Sequence, residues 1–143
     1  CGLDALKGES LENQLTIFEA QIVVAEELKK PVIIHCVKRF AELIALKKKL
    51  NVQVPMIIHG FNKNEELGGQ LIDNGFLLSF GTAVFKENSG AFALVAKTDN
   101  FFLETDDSKT SIEEIYHFVA NLKNCNVETL KARIFADWER LVV

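Results

Sequence analysis

Short apolar runs alternate with longer stretches of mixed polarity along this chain. The runs are PVIIHC (31–36), PMIIHG (55–60), GFLLSFG (75–81) and NFFLETD (100–106). Each run is apolar throughout and is bounded by Pro, Gly or Asn, which is typical of strands covered on both faces in a parallel sheet. CGLD at residues 1–4 resembles the tail of another strand, because a glycine turn and an acidic residue lead into the next segment.

Segments of helical periodicity separate the apolar runs. Residues 10–29 carry an apolar stripe and have Ser10 as their N-cap. That stripe consists of Leu11, Leu15, Phe18, Ile22 and Ala25. Further helices are predicted over residues 38–50, 62–74, 89–97 and 111–123, with a last helix from about Asn126. The sequence indicates both ends of the helix predicted over residues 62–74. An Asn62/Glu65 pair resembles a capping box at its start, and Asn74-Gly75 is typical of a helix C-terminus.

Strand and helix alternate at the spacing of consecutive right-handed (β/α) units. The pattern therefore predicts an α/β fold built from parallel (β/α) units. No linker or low-complexity stretch divides the chain, so we expect a single domain over residues 1–143. A hydrophobic content of 48% and a charged content of 25% are typical of a globular domain with a proper core.

Charge and cysteine content narrow the classes of function. A net charge of -4 argues against bulk electrostatic binding to nucleic acid or to an anionic membrane, although local substrate binding stays open. No apolar run approaches the roughly 20 residues of a membrane span, and no signal segment precedes the first helix. The 3 cysteines lack CxxC spacing and are interpreted as reduced thiols. These features predict a cytoplasmic protein without a membrane partner.

Polar residues follow the predicted strands at their carboxyl ends. The first run ends in His35, the second in His59, and the fourth in an acidic cluster from Glu104 to Asp107. Parallel strands bring such ends to one rim, where the chemistry of α/β folds collects. Two imidazoles and a carboxylate suit a divalent cation such as Zn²⁺ or Mn²⁺, and such a site can activate water. A single histidine there would more often be a hydrogen-bonded core residue, but two with an acidic cluster favour a metal site.

Only some of the acids can point into one site, because side chains alternate along a strand. We select Asp106, with Glu104 as a candidate outer partner and Asp107 as a solvated loop or cap residue. His117 lies in a predicted helix and is interpreted as a packing or surface residue. Cys36 is adjacent to His35 and so points to the opposite face, which argues against a Cys/His nucleophilic pair. Phosphate loops of the GxGxxG or Walker type are absent, which disfavours a nucleotide cofactor.

Taken in order, the motifs of the chain form a recognisable series. They are CGLD, the helix positions Gln14, Phe18, Gln21 and Ala25, then PVIIHC, IIHGF, GFLLSFG, FLETD and the closing FADWERLV. This series resembles the TatD family of metal-dependent hydrolases, amidohydrolase-like TIM barrels whose corresponding stretches include GEIGLD, two histidine strands, a Ser-Phe-Gly strand and LLETD. The resemblance covers nearly the whole chain.

The resemblance implies a (β/α)₈ barrel that binds one or two divalent metals (Zn, Mn or Mg) and hydrolyses phosphodiester bonds, commonly as a deoxyribonuclease. By motif position, His35 and His59 would be metal ligands. Asp106 would be a ligand that also orients or deprotonates the attacking water, and is therefore the candidate catalytic residue. DNA or a small phosphodiester would be the substrate. No Ser or Cys nucleophile is required.

The chain also departs from the family pattern. An HxH strand and the Glu before the GLD stretch are not in the sequence, and a full barrel has about 250 residues. We therefore expect the carboxyl-terminal part of a barrel, about five of eight units, as a truncated or proteolysed product. The family's HxR is HCVK here, which leaves Lys38 as a weaker candidate for binding the substrate phosphate. Asp107 and Ser108 replace the usual small residue and Pro, and Asp137 stands where Asn is usual.

Two functions follow. The first is a divalent-metal-dependent hydrolase of phosphodiester bonds, a TatD-type deoxyribonuclease, with this chain alone expected to be weak or inactive. The alternative is a non-catalytic α/β remnant that binds a metal or another ligand and acts as an oligomeric interaction module. An open partial barrel would expose strand edges and inward-facing aliphatic side chains, which predicts self-association.

Overall fold

The structure is a computed structural model that describes residues 1–142, in which strands and helices alternate. The strands are β1 (Gly2–Asp4), β2 (Val32–Val37), β3 (Met56–Ile58), β4 (Phe76–Phe80) and β5 (Phe101–Leu103). The helices are α1 (Leu11–Leu28), α2 (Phe40–Leu50), α3 (Glu65–Asp73), α4 (Gly90–Lys97), α5 (Ile112–Leu122) and α6 (Val127–Val142), and a 3₁₀ turn covers Thr82–Phe85. The predicted α/β fold of parallel (β/α) units is confirmed.

The strands form one parallel sheet in the order β1-β2-β3-β4-β5, which is also their order in the chain. In doubly wound folds the order in which strands are added to the sheet reverses once. In a TIM barrel each strand is added beside the previous one. The sheet therefore has barrel-type topology. Among the described residues, β1 and β5 each pair on one side only, so the sheet is open.

The two faces of the sheet differ in packing. Because the strand order does not reverse, right-handed crossovers place the connecting helices on one face of the sheet, which we call the outer face. Its side chains include Val32, Ile34, Met56, Ile58, Phe76, Leu78, Phe80 and Phe101, which are all buried. We call the opposite face, on which the alternate residues lie, the inner face. Along β2 the contrast is sharp, since Ile34 is fully buried and Ile33 is 52% exposed.

Most predicted helix ends are confirmed. The Ser10 hydroxyl accepts from the Asn13 amide at 3.3 Å and caps α1. Ser111 and Glu114 form a capping box at the start of α5. Gly75 follows α3 with a φ of +75°, a left-handed conformation that favours glycine.

The predicted capping pair of Asn62 and Glu65 is wrong. Asn64 caps α3 instead, because its side-chain oxygen accepts from the Leu67 amide at 2.9 Å, and Glu65 is the first helical residue. An Asx cap must stand directly before the first turn, and Asn62 lies two residues too early for this contact. Helix α2 likewise begins at Phe40 rather than at residue 38, because Lys38 has a left-handed φ of 54° that a helix does not accept.

The last two helices lie beside β5. The indole of Trp138 on α6 packs edge-to-face on Phe102 with ring centroids 5.9 Å apart, and the Arg133 guanidinium lies 4.5 Å from the Phe101 ring centroid. A cleft of about 790 Å³, lined mainly by apolar side chains, separates the inner face from α5 and α6. Within residues 1–142, no helix combines the length and apolar character needed to cross a membrane.

Candidate metal centre

Strand order brings the chemically active side chains to one rim of the sheet. His35 lies in β2, His59 directly follows β3, and Glu104 directly follows β5. An open cleft of about 460 Å³ lies between them, and Asp106 also lines it. The remaining lining residues are Cys1 and Ile33. Because the strands are parallel and sequential, their carboxyl ends meet here, as the sequence predicted.

The two histidines face each other across the rim. His35 Nδ1 lies 3.3 Å from His59 Nε2, with the ring planes tilted by 35°. Each ring also has a carboxylate partner on its other nitrogen. His35 Nε2 is 2.9 Å from Asp4 Oδ2, and His59 Nδ1 is 3.3 Å from Glu104 Oε1. A chain of carboxylate, imidazole, imidazole and carboxylate therefore crosses the sheet from β1 to β5.

The two outer carboxylates determine which imidazole nitrogens carry a proton in the middle of this row of side chains. An ionised carboxylate only accepts hydrogen bonds, so the N–H of each neutral imidazole points outward, to Asp4 or to Glu104. The two remaining nitrogens, His35 Nδ1 and His59 Nε2, are then both acceptors, and they face each other at 3.3 Å. Two facing lone pairs attract a cation. Their separation is also close to the edge of a tetrahedral site with Zn–N bonds of 2.0–2.1 Å, which is roughly 3.3 Å.

The carboxylates gather on the other side of His59. His59, Glu104 and Asp106 each offer one ligand atom, and these atoms lie within 4.8 Å of one another. Within residues 1–142, these are the three His, Cys, Asp or Glu residues whose ligand atoms come this close together, and His35 is not one of them. His59 thus belongs both to the imidazole pair and to the carboxylate group. The donor set of imidazole nitrogens and carboxylate oxygens fits a borderline divalent cation.

Asp4 is the site residue that sequence reasoning did not select. It was noted only as the acidic end of CGLD, yet its carboxylate contacts His35 from the neighbouring strand. Register explains the contact: Gly2 lies opposite His35, and a Cβ at Gly2 would collide with the His35 backbone, so only glycine allows this approach. The hydrogen bond with His35, followed by that from the Leu6 amide, lowers the pKa of the Asp4 carboxyl below its ordinary value.

Four further residues that the sequence analysis weighed lie outside the row of contacts from Asp4 to Glu104. Lys38 is exposed after β2 and does not line either cleft at the rim. Asp107 is an exposed turn residue, as expected. His117 is exposed on α5 and lines the apolar cleft, without joining the ligand group. Cys36 is buried on the outer face, and burial raises the pKa of its thiol to about 11, which argues further against a nucleophilic role.

A sequential parallel sheet with imidazoles and carboxylates at its carboxyl rim is typical of TIM-barrel metal-dependent hydrolases. The family model described as TatD related DNase matches residues 1–142. The chain therefore belongs to the TatD family.

Individual relatives agree with this assignment. The uncharacterized metal-dependent hydrolase YcfH of Escherichia coli strain K12 is 27% identical over 146 residues, which cover 90% of this chain and 55% of the relative. The 3'-5' ssDNA/RNA exonuclease TatD of Citrobacter koseri is 32% identical over 92 residues, which cover 63% of this chain and 35% of the relative. The chain thus spans about half of YcfH, or less in the second match.

A solved structure supports the fold. The hydrolase TatD family protein from Entamoeba histolytica superposes with a TM-score of 0.81 at 16% sequence identity, covering 99% of this chain and 61% of that one. At this identity the likeness concerns the fold alone. It confirms that the five-stranded open sheet matches part of a TatD-type TIM barrel.

Proposed function

We propose that this protein is a divalent-metal-dependent hydrolase of phosphodiester bonds, with His35, His59 and Asp106 as metal ligands. The observation that carries the proposal is the 3.3 Å approach of His35 Nδ1 to His59 Nε2, with a carboxylate at the other nitrogen of each ring. With neutral imidazoles these carboxylates direct both N–H groups outward. Without a cation this arrangement leaves two lone pairs opposed. Asp106 brings a negative charge to the same cleft.

The position of each residue at the rim indicates its proposed role. The imidazoles hold the cation, and Glu104 fixes the His59 ring through Nδ1. Asp106 is exposed just beyond β5 and lines the same cleft, so besides binding the cation its carboxylate can orient a water molecule and accept its proton. A bound divalent cation supplies charge stabilisation at a phosphoryl oxygen and makes water more acidic. Nucleophilic serine or cysteine is not needed in this scheme.

Nucleic acid is the substrate class that we propose, and single-stranded DNA is the first substrate to test. The Citrobacter koseri relative is named as a single-stranded DNA and RNA exonuclease, and it is 32% identical over the matched residues. The net charge of -4 requires local phosphate contacts instead of a basic face. Lys38 remains the candidate contact, because it is exposed directly after the histidine strand.

The first experiment is calorimetric titration of the chain with Mn²⁺ and with Zn²⁺. We expect binding to be lost in His59→Ala and in Asp106→Asn. His117→Ala and Asp107→Asn are matched controls, since each removes the same chemical group outside the proposed ligands, and both should bind as the unchanged chain does. Absence of binding at millimolar metal would contradict the proposal.

Hydrolysis of a single-stranded DNA oligonucleotide with Mn²⁺ present is the second measurement. We expect weak activity, because the matched relatives are longer than this chain. Cleavage that disappears in Asp106→Asn supports the hydrolase. Metal binding without any cleavage would favour the second candidate, a metal-binding α/β module, which the open sheet also supports.

A further inference from the structure

The connection between β1 and α1 is fastened by a single amide side chain. Gln14, in the first turns of α1, accepts from the Asp4 backbone amide at 2.7 Å and donates to the Asp4 carbonyl oxygen at 2.9 Å. Its Nε2 also donates to the carbonyl oxygens of Glu9 at 2.7 Å and Lys7 at 3.4 Å. Gln14 thereby fixes the backbone of Asp4 from both sides, and it ties the loop between strand and helix to α1.

The side chain of Asp4 is fixed as well, because its two carboxylate oxygens bind different partners. Oδ1 accepts from the amides of Leu6 at 2.7 Å and Lys7 at 3.0 Å. These contacts leave Oδ2 for His35 Nε2 at 2.9 Å. The orientation of the carboxylate is therefore set by the loop, and the direction from which His35 is contacted does not depend on a free side-chain rotation.

We propose that Asp4 is a positioning residue that fixes the tautomer of His35, and that Gln14 acts through Asp4. A carboxylate at Nε2 places the proton on that nitrogen, so Nδ1 is the acceptor that faces His59. Carboxylates that accept from the second nitrogen of a ligating histidine orient the ring and raise its basicity. The effect of the Asp4–His35 contact on metal affinity rests on the proposed function. The tautomer of His35, in contrast, is a property of the metal-free protein.

The two ends of the contact chain are unequal, which is why the inference concerns Asp4. The contact of His35 with Asp4 is 2.9 Å, within the normal range for an N–H···O bond, whereas the contact of His59 with Glu104 is 3.3 Å and slightly long. Glu104 also belongs to the group of candidate ligands, so its carboxylate has a second use. Asp4 is outside that group and has no other side-chain partner than His35 among the described contacts.

Asp4→Asn is the sharpest test, because it keeps the shape of the side chain. The amide oxygen can still accept from Leu6 and Lys7, while the amide nitrogen takes the place of Oδ2 and donates to His35. The proton of His35 should then move from Nε2 to Nδ1. Glu42→Gln is the matched control, since Glu42 pairs with Arg39 at 2.8 Å and has no described contact with a histidine.

The primary readout is the ¹⁵N spectrum of the histidine rings in metal-free protein, at a pH where the imidazoles are neutral. We expect the Nε2–H form of His35 in the unchanged chain and in Glu42→Gln, and the Nδ1–H form in Asp4→Asn. Gln14→Leu should give a mixture of the two forms. An Nδ1–H form in the unchanged chain would overturn the inference, and so would an unchanged tautomer in folded Asp4→Asn.

Calorimetry with Zn²⁺ separates this inference from the proposed function. We expect roughly 10- to 100-fold weaker binding in Asp4→Asn, as for other partners of ligating histidines. A tautomer change with no Zn²⁺ binding in any variant would support the role of Asp4 and refute the metal site. If Asp4→Asn does not fold, Asp4→Glu replaces it: retention of the Nε2–H form with this longer carboxylate supports the inference, and its absence contradicts it.

Discussion

The two faces of the five-stranded sheet differ in the interactions that their side chains make. On the outer face, Phe80 and Phe101 stack edge-to-face, as do Phe80 and Phe61 from the loop after β3, with centroids 6.1 Å apart in each pair. All three side chains are essentially excluded from solvent. On the inner face, Ile33 is exposed although Ile57 and Phe102 are buried, and a row of polar contacts from Asp4 to Glu104 crosses the rim. The outer face is stabilised by close packing, whereas the rim of the inner face depends on the direction of a few polar contacts.

The largest effect is expected from a cavity in the outer face. Phe80 is fully buried, so Phe80→Ala should lower the free energy of unfolding by about 3–5 kcal/mol in a urea titration. Phe135 on α6 is 61% exposed and provides the control, because Phe135→Ala should change that free energy by only about 0.5 kcal/mol. Equal losses from both substitutions would contradict the distinction between packed and open regions.

Metal should stabilise the fold through the inner face alone. At a Mn²⁺ concentration of about 100 times the dissociation constant, the free energy of unfolding should rise by about 2.7 kcal/mol. Ile58→Val on the outer face should keep this increment, although the variant itself is destabilised by about 0.5–1.5 kcal/mol. His59→Ala should lose the increment. Thermal denaturation with and without Mn²⁺ measures both, and loss of the increment in Ile58→Val would show that the faces are coupled.

The exposed Ile33 on the inner face and the unpaired strand edges also predict self-association. Light scattering at increasing concentration should show a mass above that of one chain. Ile33→Ser should weaken the association by about 1 kcal/mol, since it removes an aliphatic side chain beside the open edge. Ile17 on α1 is 56% exposed and is the matched control. A single-chain mass at every concentration would refute this prediction.

The smallest effect is expected when His35 is removed from metal-free protein. Its side chain is 50% exposed, and its contact with Asp4 lies at the surface, where such pairs contribute little to stability. His35→Ala should therefore change the free energy of unfolding by about 0.5 kcal/mol or less in urea titration. A loss above about 1.5 kcal/mol would mean that the rim is part of the core.

The elements of the fold were predictable because their signals are local. An apolar run such as VIIHC needs no partner to indicate a buried strand, and Ser10 directly before an apolar stripe indicates a helix start. The prediction at Asn62 was wrong because Asn64, two residues later, has the Leu67 amide within reach of its side-chain oxygen. Boundaries depend on such small geometric differences, whereas the presence of an element does not.

The site was predictable only as far as strand order determines it. The common rim of His35, His59 and the acids after β5 follows from parallel sequential strands. The partnership of Asp4 with His35 requires the register between β1 and β2, which no local pattern records. Which acid joins His59 likewise depends on side-chain rotation, so both Glu104 and Asp106 had to be considered.

The strand order described above also has a consequence for folding kinetics. Every pairing in the sheet joins strands that are consecutive in the chain, so each closes a loop of about one helix and its turns. Parallel pairing of this kind forms slowly, because each loop must close before its contacts stabilise the pair of strands. A further (β/α) unit could dock on either edge without rearranging the pairs already formed.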